Sequence, residues 1–249
     1  MSTAAQASRF FPKGAVGSIW RFFGIAAMAS LLAVATTATA ADPAPARDRD
    51  ILWKIVSSCL GPENADYCRR CIAPRAGSAC PEAQTCEATT EVWAQNGEFV
   101  AMRDIKMCSC PAGFVHGLAL PRTRIRGIDA SPLPDGIWAF AWTEAQKKIA
   151  DASTIALVVN SARGRTQDQL HVHLVRLRDD ARRNFSARAT SVAELGEVWR
   201  VAGQLAAKPP ALEDYNVLVA SDLNGGFAVL VDGNDKTSME RAYTLRVCR

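Results

Sequence analysis

The chain has 249 residues, of which 49% are apolar and 22% charged, with a formal net charge of +4. That length and apolar share suffice for a real core, which excludes a disordered or fibrous chain. The mild basic excess comes without a Lys/Arg run or an RNA-binding motif, so nucleic acid is not expected as a partner.

Met1 to Ala41 reads as a targeting segment. Arg9, Lys13 and Arg21 form a basic start, Phe22 to Val34 is apolar and uncharged, and Ala38-Thr39-Ala40 is a small-residue cleavage pattern. The apolar stretch is short for a bilayer span, which needs about 20 residues. The expectation is a cleaved signal peptide, with an uncleaved N-terminal membrane anchor as the alternative. Either places the folded part in the periplasm or at the periplasmic face of the inner membrane. Residues 47–249 then form a single domain.

The chain has eight cysteines: Cys59, Cys68, Cys71, Cys80, Cys86, Cys108, Cys110 and Cys248. An even number behind a signal sequence suits disulfides in an oxidising space. Cys68-x-x-Cys71 lacks the second Cys-x-x-Cys of a zinc site, and Cys108 and Cys110 are too close to pair easily with each other. Residues 61–113 are expected to be a cysteine-rich, disulfide-pinned excursion.

Asp48 to Leu60 has helical periodicity, with Ile51, Leu52, Ile55, Val56 and Cys59 on one face, and Gly61-Pro62 stops it. Cys59 is a candidate tether for this helix. A short strand is expected near Thr89 to Ala94. Glu98 to Ile105 and Phe114 to Leu120 alternate as strands joined by a long hairpin, Lys106 to Gly113. Pro121 ends the second strand and leads into an exposed basic segment, Arg122 to Ile128.

Asp135 is placed to cap a helix starting near Gly136. Trp138, Phe140 and Trp142 make that helix mostly buried, so these aromatics read as core. Thr154 to Val159 is a central strand, and Gln169 to Leu177 is the next. Short helices are expected at Asp179 to Phe185 and Ser191 to Val201. Three more strands follow at Tyr215 to Ala220, Phe227 to Val231 and Tyr243 to Cys248, with a turn at Asn224-Gly225-Gly226.

The chain has three histidines, and two of them, His171 and His173, stand two apart on an expected strand. Residues so spaced point to one face, which they share with Gln169, while Leu170, Val172 and Leu174 face the core. A paired imidazole can bind metal, act as a nucleophile toward phosphorus, or be structural. A zinc site would need a third ligand, for which His116 or Asp168 is conceivable, although His116 also reads as a satisfied, partly buried side chain. The loop before the pair carries donors: the Asn160 amide, the Gly164 backbone, Arg165, Thr166 and Gln167. Donors gathered ahead of a reactive side chain suit the charge of a phosphoryl group. Arginines from Arg163 to Arg188 surround the stretch, as a solvated face or as partners of an anionic ligand.

The run Asn160-Ser161-Ala162-Arg163-Gly164-Arg165-Thr166-Gln167-Asp168-Gln169-Leu170-His171-Val172-His173 resembles the signature of the CDP-diacylglycerol pyrophosphatases, a branch of the histidine-triad (HIT) superfamily. Leu52 to Leu60 is similar to that family's opening helix, Leu120 to Ile125 to its strand-Pro-basic segment, and Arg176 to Arg182 to its charged tail. The resemblance implies an α+β, HIT-like fold, mainly an antiparallel sheet with packed helices, here with the disulfide-rich insertion. It implies hydrolysis of CDP-diacylglycerol to CMP and phosphatidate, at a membrane surface and without cofactor or metal. It assigns nucleophilic attack to His171 and phosphate contact to His173. Gln169 stands where the superfamily has its first histidine, and an amide cannot titrate. Asn160, Gly164, Arg165, Thr166, Gln167 and Arg124 are implied as substrate- or phosphate-binding. The cysteine-rich excursion and residues 187–208 depart from the family pattern. Two alternatives stay open: HIT-type hydrolysis of a soluble nucleotide, and a non-enzymatic, disulfide-rich envelope protein.

Overall fold

The computed structural model describes residues 48–60, 91–108, 110–186, 188–233 and 238–248. The expected targeting segment and most of the cysteine-rich excursion lie outside them. Among the described residues no helix is long and apolar enough to cross a membrane.

Eight strands form one sheet in which every neighbouring pair is antiparallel. They are β1 (Val92–Gln95), β2 (Phe99–Arg103), β3 (His116–Pro121), β4 (Ile155–Val159), β5 (Val172–Arg176), β6 (Thr190–Val192), β7 (Asn216–Ser221) and β8 (Phe227–Asp232). The order across the sheet is β1-β2-β3-β5-β4-β7-β8-β6, so β5 and β4 lie at its centre. The helices are α1 (Ile51–Lys54), which widens into a π-helical turn (Ile55–Cys59), α2 (Ile137–Lys148), α3 (Asp179–Ser186), α4 (Val198–Ala206) and α5 (Met239–Tyr243).

Strand alternation divides the core between the two faces. On one face Leu157, Val159, Val172, Leu174, Val217 and Val219 meet Trp138, Trp142 and Ala145 of α2 and Val198 and Ala202 of α4. Trp138 is fully buried there, and Leu170 joins the same cluster. On the other face Leu52, Val56 and Cys59 cover Val100, Met102, Leu118 and Leu120 at one end of the sheet. At the other end Ala181 and Phe185 of α3 and Met239 and Tyr243 of α5 cover Val158, Val175, Leu218 and Leu230. Each buried Val, Leu or Phe contributes roughly 1.5–3 kcal/mol. A gap remains between these two clusters. Because β3, β5 and β4 pass beneath it, their residues His116, His173 and the neighbouring Asn160 fill it with polar side chains instead of apolar ones.

Several expectations are corrected. Ser191–Val201 is not one helix: β6 pairs with β8 through Thr190, Ser191 and Val192, and α4 starts only at Val198. Tyr243–Cys248 is not a strand. Tyr243 ends α5, Thr244 makes a single bridge to Leu177, and Leu245 and Val247 remain 45% and 53% exposed. Asp135 does not cap α2; Gly136 sits at the cap position with no side-chain bond. Cys59 is a free, buried thiol packed in the α1 cluster rather than a tether. The described disulfide is Cys110–Cys248, which joins the β2–β3 hairpin to the tail across 138 residues of sequence.

Candidate active site

The chain enters the site from β4. Asn160 follows the strand directly, and residues 161–165 turn sharply: the Gly164 and Arg165 amides both donate to the Ser161 carbonyl. The turn is pinned from outside. Asp214 accepts from the Ala162 and Arg163 amides at 2.7 and 3.0 Å, and the Asn216 side-chain oxygen accepts from the Ser161 amide at 3.0 Å. The Gly164 amide also reaches the Ser161 hydroxyl, 3.1 Å away. The Gly164 amide, expected as a phosphate donor, is therefore already engaged within the turn.

Beyond the turn, Gln169 bridges to Arg126, Leu170 enters the core, and β5 begins at Val172. The regular strand thus starts after His171, not at Gln169. His171 and His173 still share a face, with ring centroids 4.8 Å apart and the planes at 74°. Both are buried, at 7% and 4% exposure, and both line the cavity beside them.

His171 Nδ1 lies 2.7 Å from the Gln169 carbonyl. A carbonyl can only accept, so Nδ1 carries the proton and Nε2 carries the lone pair. Burial lowers the basicity of His171, outweighing the Gln169 carbonyl, which favours the charged form. Neutral imidazole with a bare Nε2 is the form required of a nucleophile.

His173 has both nitrogens occupied. Nε2 faces the Asn160 amide nitrogen at 3.2 Å, and Nδ1 faces His116 Nε2 at 3.1 Å. The Asn160 amide nitrogen also donates to Glu240 at 3.4 Å, which fixes its orientation as donor. His173 Nε2 is then an acceptor, its proton sits on Nδ1 and goes to His116, and His116 Nδ1 donates to the Arg246 carbonyl at 3.2 Å. Burial pushes His173 well below its ordinary basicity and lowers His116 as well. This relay of neutral donors and acceptors is self-consistent and leaves His173 no spare N–H for a phosphate oxygen while Asn160 stays in place.

Under the relay sits a buried ion cluster. Lys106 Nζ is 2.8 Å from Glu240 Oε1 and 3.8 Å from Asp104 Oδ2. Arg246 Nε approaches the same Glu240 oxygen at 3.7 Å. Burial would raise the Glu240 carboxyl, but attraction to the His173 imidazole, the Lys106 ammonium and the His116 imidazole outweighs it, and Glu240 stays ionised well below the usual carboxylate range. Glu240 belongs to α5, whose first turn Ser238 caps by accepting from the Arg241 amide at 3.3 Å.

Asp104, His116 and His173 bring three potential metal-ligand atoms within 4.8 Å of one another. Lys106 Nζ lies in the same space, 3.4 Å from His116 Nε2, and the His116–His173 bond ties up one ligand atom of each ring. A divalent cation there would have to expel the ammonium and strip that shared proton. Of the two third ligands conceivable from sequence, His116 does lie beside His173, whereas Asp168 is held by Arg49 at 2.7 Å.

His171, His173, Asn160, Gly164, Arg165 and Thr166 line one cavity of about 330 Å³, together with Lys106, Arg163, Ser238, Glu240, Arg241 and Arg246. Three residues expected at the substrate are elsewhere. Gln169 spends its amide on the backbone of the 121–125 segment, donating to Pro121 and Thr123 at 3.0 and 2.8 Å and accepting from Ile125 at 3.2 Å. Gln167 accepts from the Leu52 amide at 3.2 Å and donates to the Asp48 carbonyl at 2.9 Å, docking α1. Arg124 pairs with Asp50 at 2.8 Å and lies over the Trp53 ring. Arg165 lines the cavity, but its guanidinium turns away to Asp129 at 2.7 Å. Lys106 and Glu240 were not marked as site residues from sequence, and His116 was raised only as a conceivable metal ligand or a satisfied, partly buried side chain. They come from the β2–β3 hairpin, β3 and α5, and no local pattern connects them.

A protein-family model described as CDP-diacylglycerol pyrophosphatase matches residues 47–209. No curated protein matches the chain.

Proposed function

The chain belongs to the CDP-diacylglycerol pyrophosphatase family, and on that premise we propose that it works by covalent catalysis at His171. The family reaction is hydrolysis of the phosphoric anhydride of CDP-diacylglycerol, a step of phospholipid metabolism. His171 Nε2 attacks the phosphorus bearing cytidine. The bond from that phosphorus to the bridging oxygen breaks, and the bridging oxygen leaves with phosphatidate. CMP is then joined to Nε2. Water adds its oxygen to the same phosphorus, the P–N bond breaks, and CMP departs while the water's proton passes to solvent.

The observation that carries this reading is the His171 Nδ1–Gln169 carbonyl bond, which leaves Nε2 as the bare nitrogen at the cavity. Thr166, Arg241 and Arg246 line the same cavity and supply hydroxyl and guanidinium groups for the pyrophosphate. Glu240, Lys106, His116 and Asn160 act through His173, fixing its ring and its proton. The histidine-triad reading of the fold is part of the proposal. It is supported by a His-x-His pair at the start of a central antiparallel strand behind a polar loop.

The test is trapping of an alkali-stable, acid-labile label from cytidine-labelled CDP-diacylglycerol after rapid alkaline quenching, the stability expected of a P–N bond to imidazole. The label should appear on His171 within one turnover. Hydrolysis without any trapped adduct, together with full activity of His171→Ala, would refute covalent catalysis. Turnover of CDP-diacylglycerol against CDP-alcohols and dinucleotides decides between the lipid and a soluble nucleotide.

We also infer an extracytosolic, membrane-proximal setting, supported by the basic-then-apolar residues 9–34 and by the Cys110–Cys248 disulfide. Fractionation of the tagged protein tests it; recovery from the cytosol with reduced Cys110 and Cys248 would refute it.

A further inference from the structure

A second cavity of about 730 Å³ adjoins the catalytic one. Arg241 and Arg246 line both. The remaining wall of the second cavity differs in chemistry. Phe114, Leu245 and Val247 give it an apolar surface, and Arg178 stands at its edge, held by Asp180 at 2.9 Å. The Cys110–Cys248 disulfide frames it by joining the hairpin that carries Phe114 to the tail that carries Leu245 and Val247. Leu245 and Val247 are two of the five large apolar side chains left exposed among the described residues.

Three features narrow the occupant. Guanidinium on one wall and hydrocarbon on the other suit a ligand with an anionic head and an apolar body. The Arg241 side chain makes no hydrogen bond or ion pair among the described residues, although it stands on the wall between the two cavities. The volume falls in the range of pockets that hold a whole small ligand.

We propose that this cavity receives the phosphatidyl half of the substrate. Arg241 and Arg246 hold the phosphate that becomes phosphatidate, while Phe114, Leu245 and Val247 take the first methylenes of the acyl chains. The cytidine half then lies on the His171 side. The inference rests on the lipid-nucleotide reading above and adds to it the subsite that separates a lipid from a soluble CDP-alcohol.

The experiment compares two substrates with the same pyrophosphate: dioctanoyl CDP-diacylglycerol, kept below its micelle concentration, and CDP-glycerol. Leu245→Ser/Val247→Ser should raise KM for the dioctanoyl substrate by about ten-fold or more, given the apolar contact removed. It should leave kcat/KM for CDP-glycerol within about two-fold. Val247→Trp, which fills the cavity instead of emptying its wall, should raise the same KM. No change on either substrate, or an equal fall on both in both variants, overturns the subsite. A defect confined to long-chain substrate in vesicles, with the monomeric substrate unaffected, also overturns it and makes the wall a membrane-docking face. If the wild-type protein hydrolyses neither compound, the parent reading has failed rather than the subsite.

Discussion

His171 gives its Nδ1 proton to the carbonyl of Gln169, two residues earlier in the chain and 2.7 Å away. The same residue whose carbonyl sets the tautomer uses its side chain to grip the backbone after β3. One position therefore anchors the approach to His171 and decides which of its nitrogens is bare. His171→Ala should reduce kcat by about 10⁴-fold or more, as removal of a covalent nucleophile does. Gln169→Ala keeps the carbonyl but frees the 121–125 segment, so it should lower stability while leaving a trappable adduct. Quenched-flow labelling of both variants checks this, and an adduct in His171→Ala would be fatal to the assignment.

The pH dependence of stability follows from three buried imidazoles. His116, His171 and His173 all have folded-state basicity below the ordinary value of 6.5. Below pH 6.5 the unfolded chain therefore binds protons that the folded chain refuses, and stability falls as pH falls through this range. Glu240 acts in the same direction at lower pH: its contribution is present above its ordinary value of 4.5 and is lost beneath it. Urea midpoints at pH 7.5 and 5.5 should show the drop. A midpoint unchanged or higher at pH 5.5 would contradict the neutral relay. The acid limb of kcat/KM, reporting protonation of His171 Nε2, should likewise lie below pH 6.5.

Lys106 and Glu240 form the shortest ion pair of the cluster beneath the histidines, with Lys106 30% and Glu240 4% exposed. Removing one partner leaves the other uncompensated, so Lys106→Met should cost about 2–3 kcal/mol, less than a fully buried pair because Lys106 is partly solvated. Lys106→Met/Glu240→Met should recover part of that loss. A double-mutant cycle measures it, and a coupling below about 0.5 kcal/mol would remove the pair from the account. Glu240→Gln should lower kcat through the loosened His173 ring and raise KM through Arg246, which Glu240 also holds.

Gly127 has φ +62°, and a Cβ there would lie 2.3 Å from Arg165 Nη1. Gly127→Ala combines backbone strain with displacement of the guanidinium from Asp129. The expected cost is about 2 kcal/mol, or a Tm lower by about 4–8 °C. Differential scanning calorimetry reads it. An unchanged Tm would mean Arg165 moves aside freely and does not brace the loop that lines the cavity.

Much of the sheet was legible because its strands alternate. The β4 and β5 pattern placed Leu170, Val172 and Leu174 in the core and the two histidines on the opposite face, and the structure agrees. The region 191–201 misled because the three-residue edge strand β6 runs into an apolar helix start, so helical periodicity extended backward over it. The tail from Tyr243 alternates like a strand but lacks a partner beyond one bridge. Within the cavity, His171, His173 and Asn160 come from one contiguous stretch that the sequence had singled out. Lys106 and Glu240 do not: they are 134 residues apart and meet only through the fold. Gln167, Gln169 and Arg124 had phosphate-binding chemistry, but their hydrogen bonds go to neighbouring backbone and α1, which spacing alone does not reveal.

The Cys110–Cys248 bond and the Glu240 cluster close the same gap. The hairpin brings Lys106, the tail brings Arg246, and Glu240 holds both. Thiol oxidation and charge assembly are consequently a single linked equilibrium. Each raises the effective concentration of the other's partners, so whatever weakens the cluster must make the disulfide easier to reduce by the same free energy. Arg246, on the tail that the disulfide locks to the hairpin, stands two hydrogen bonds from His173 by way of His116.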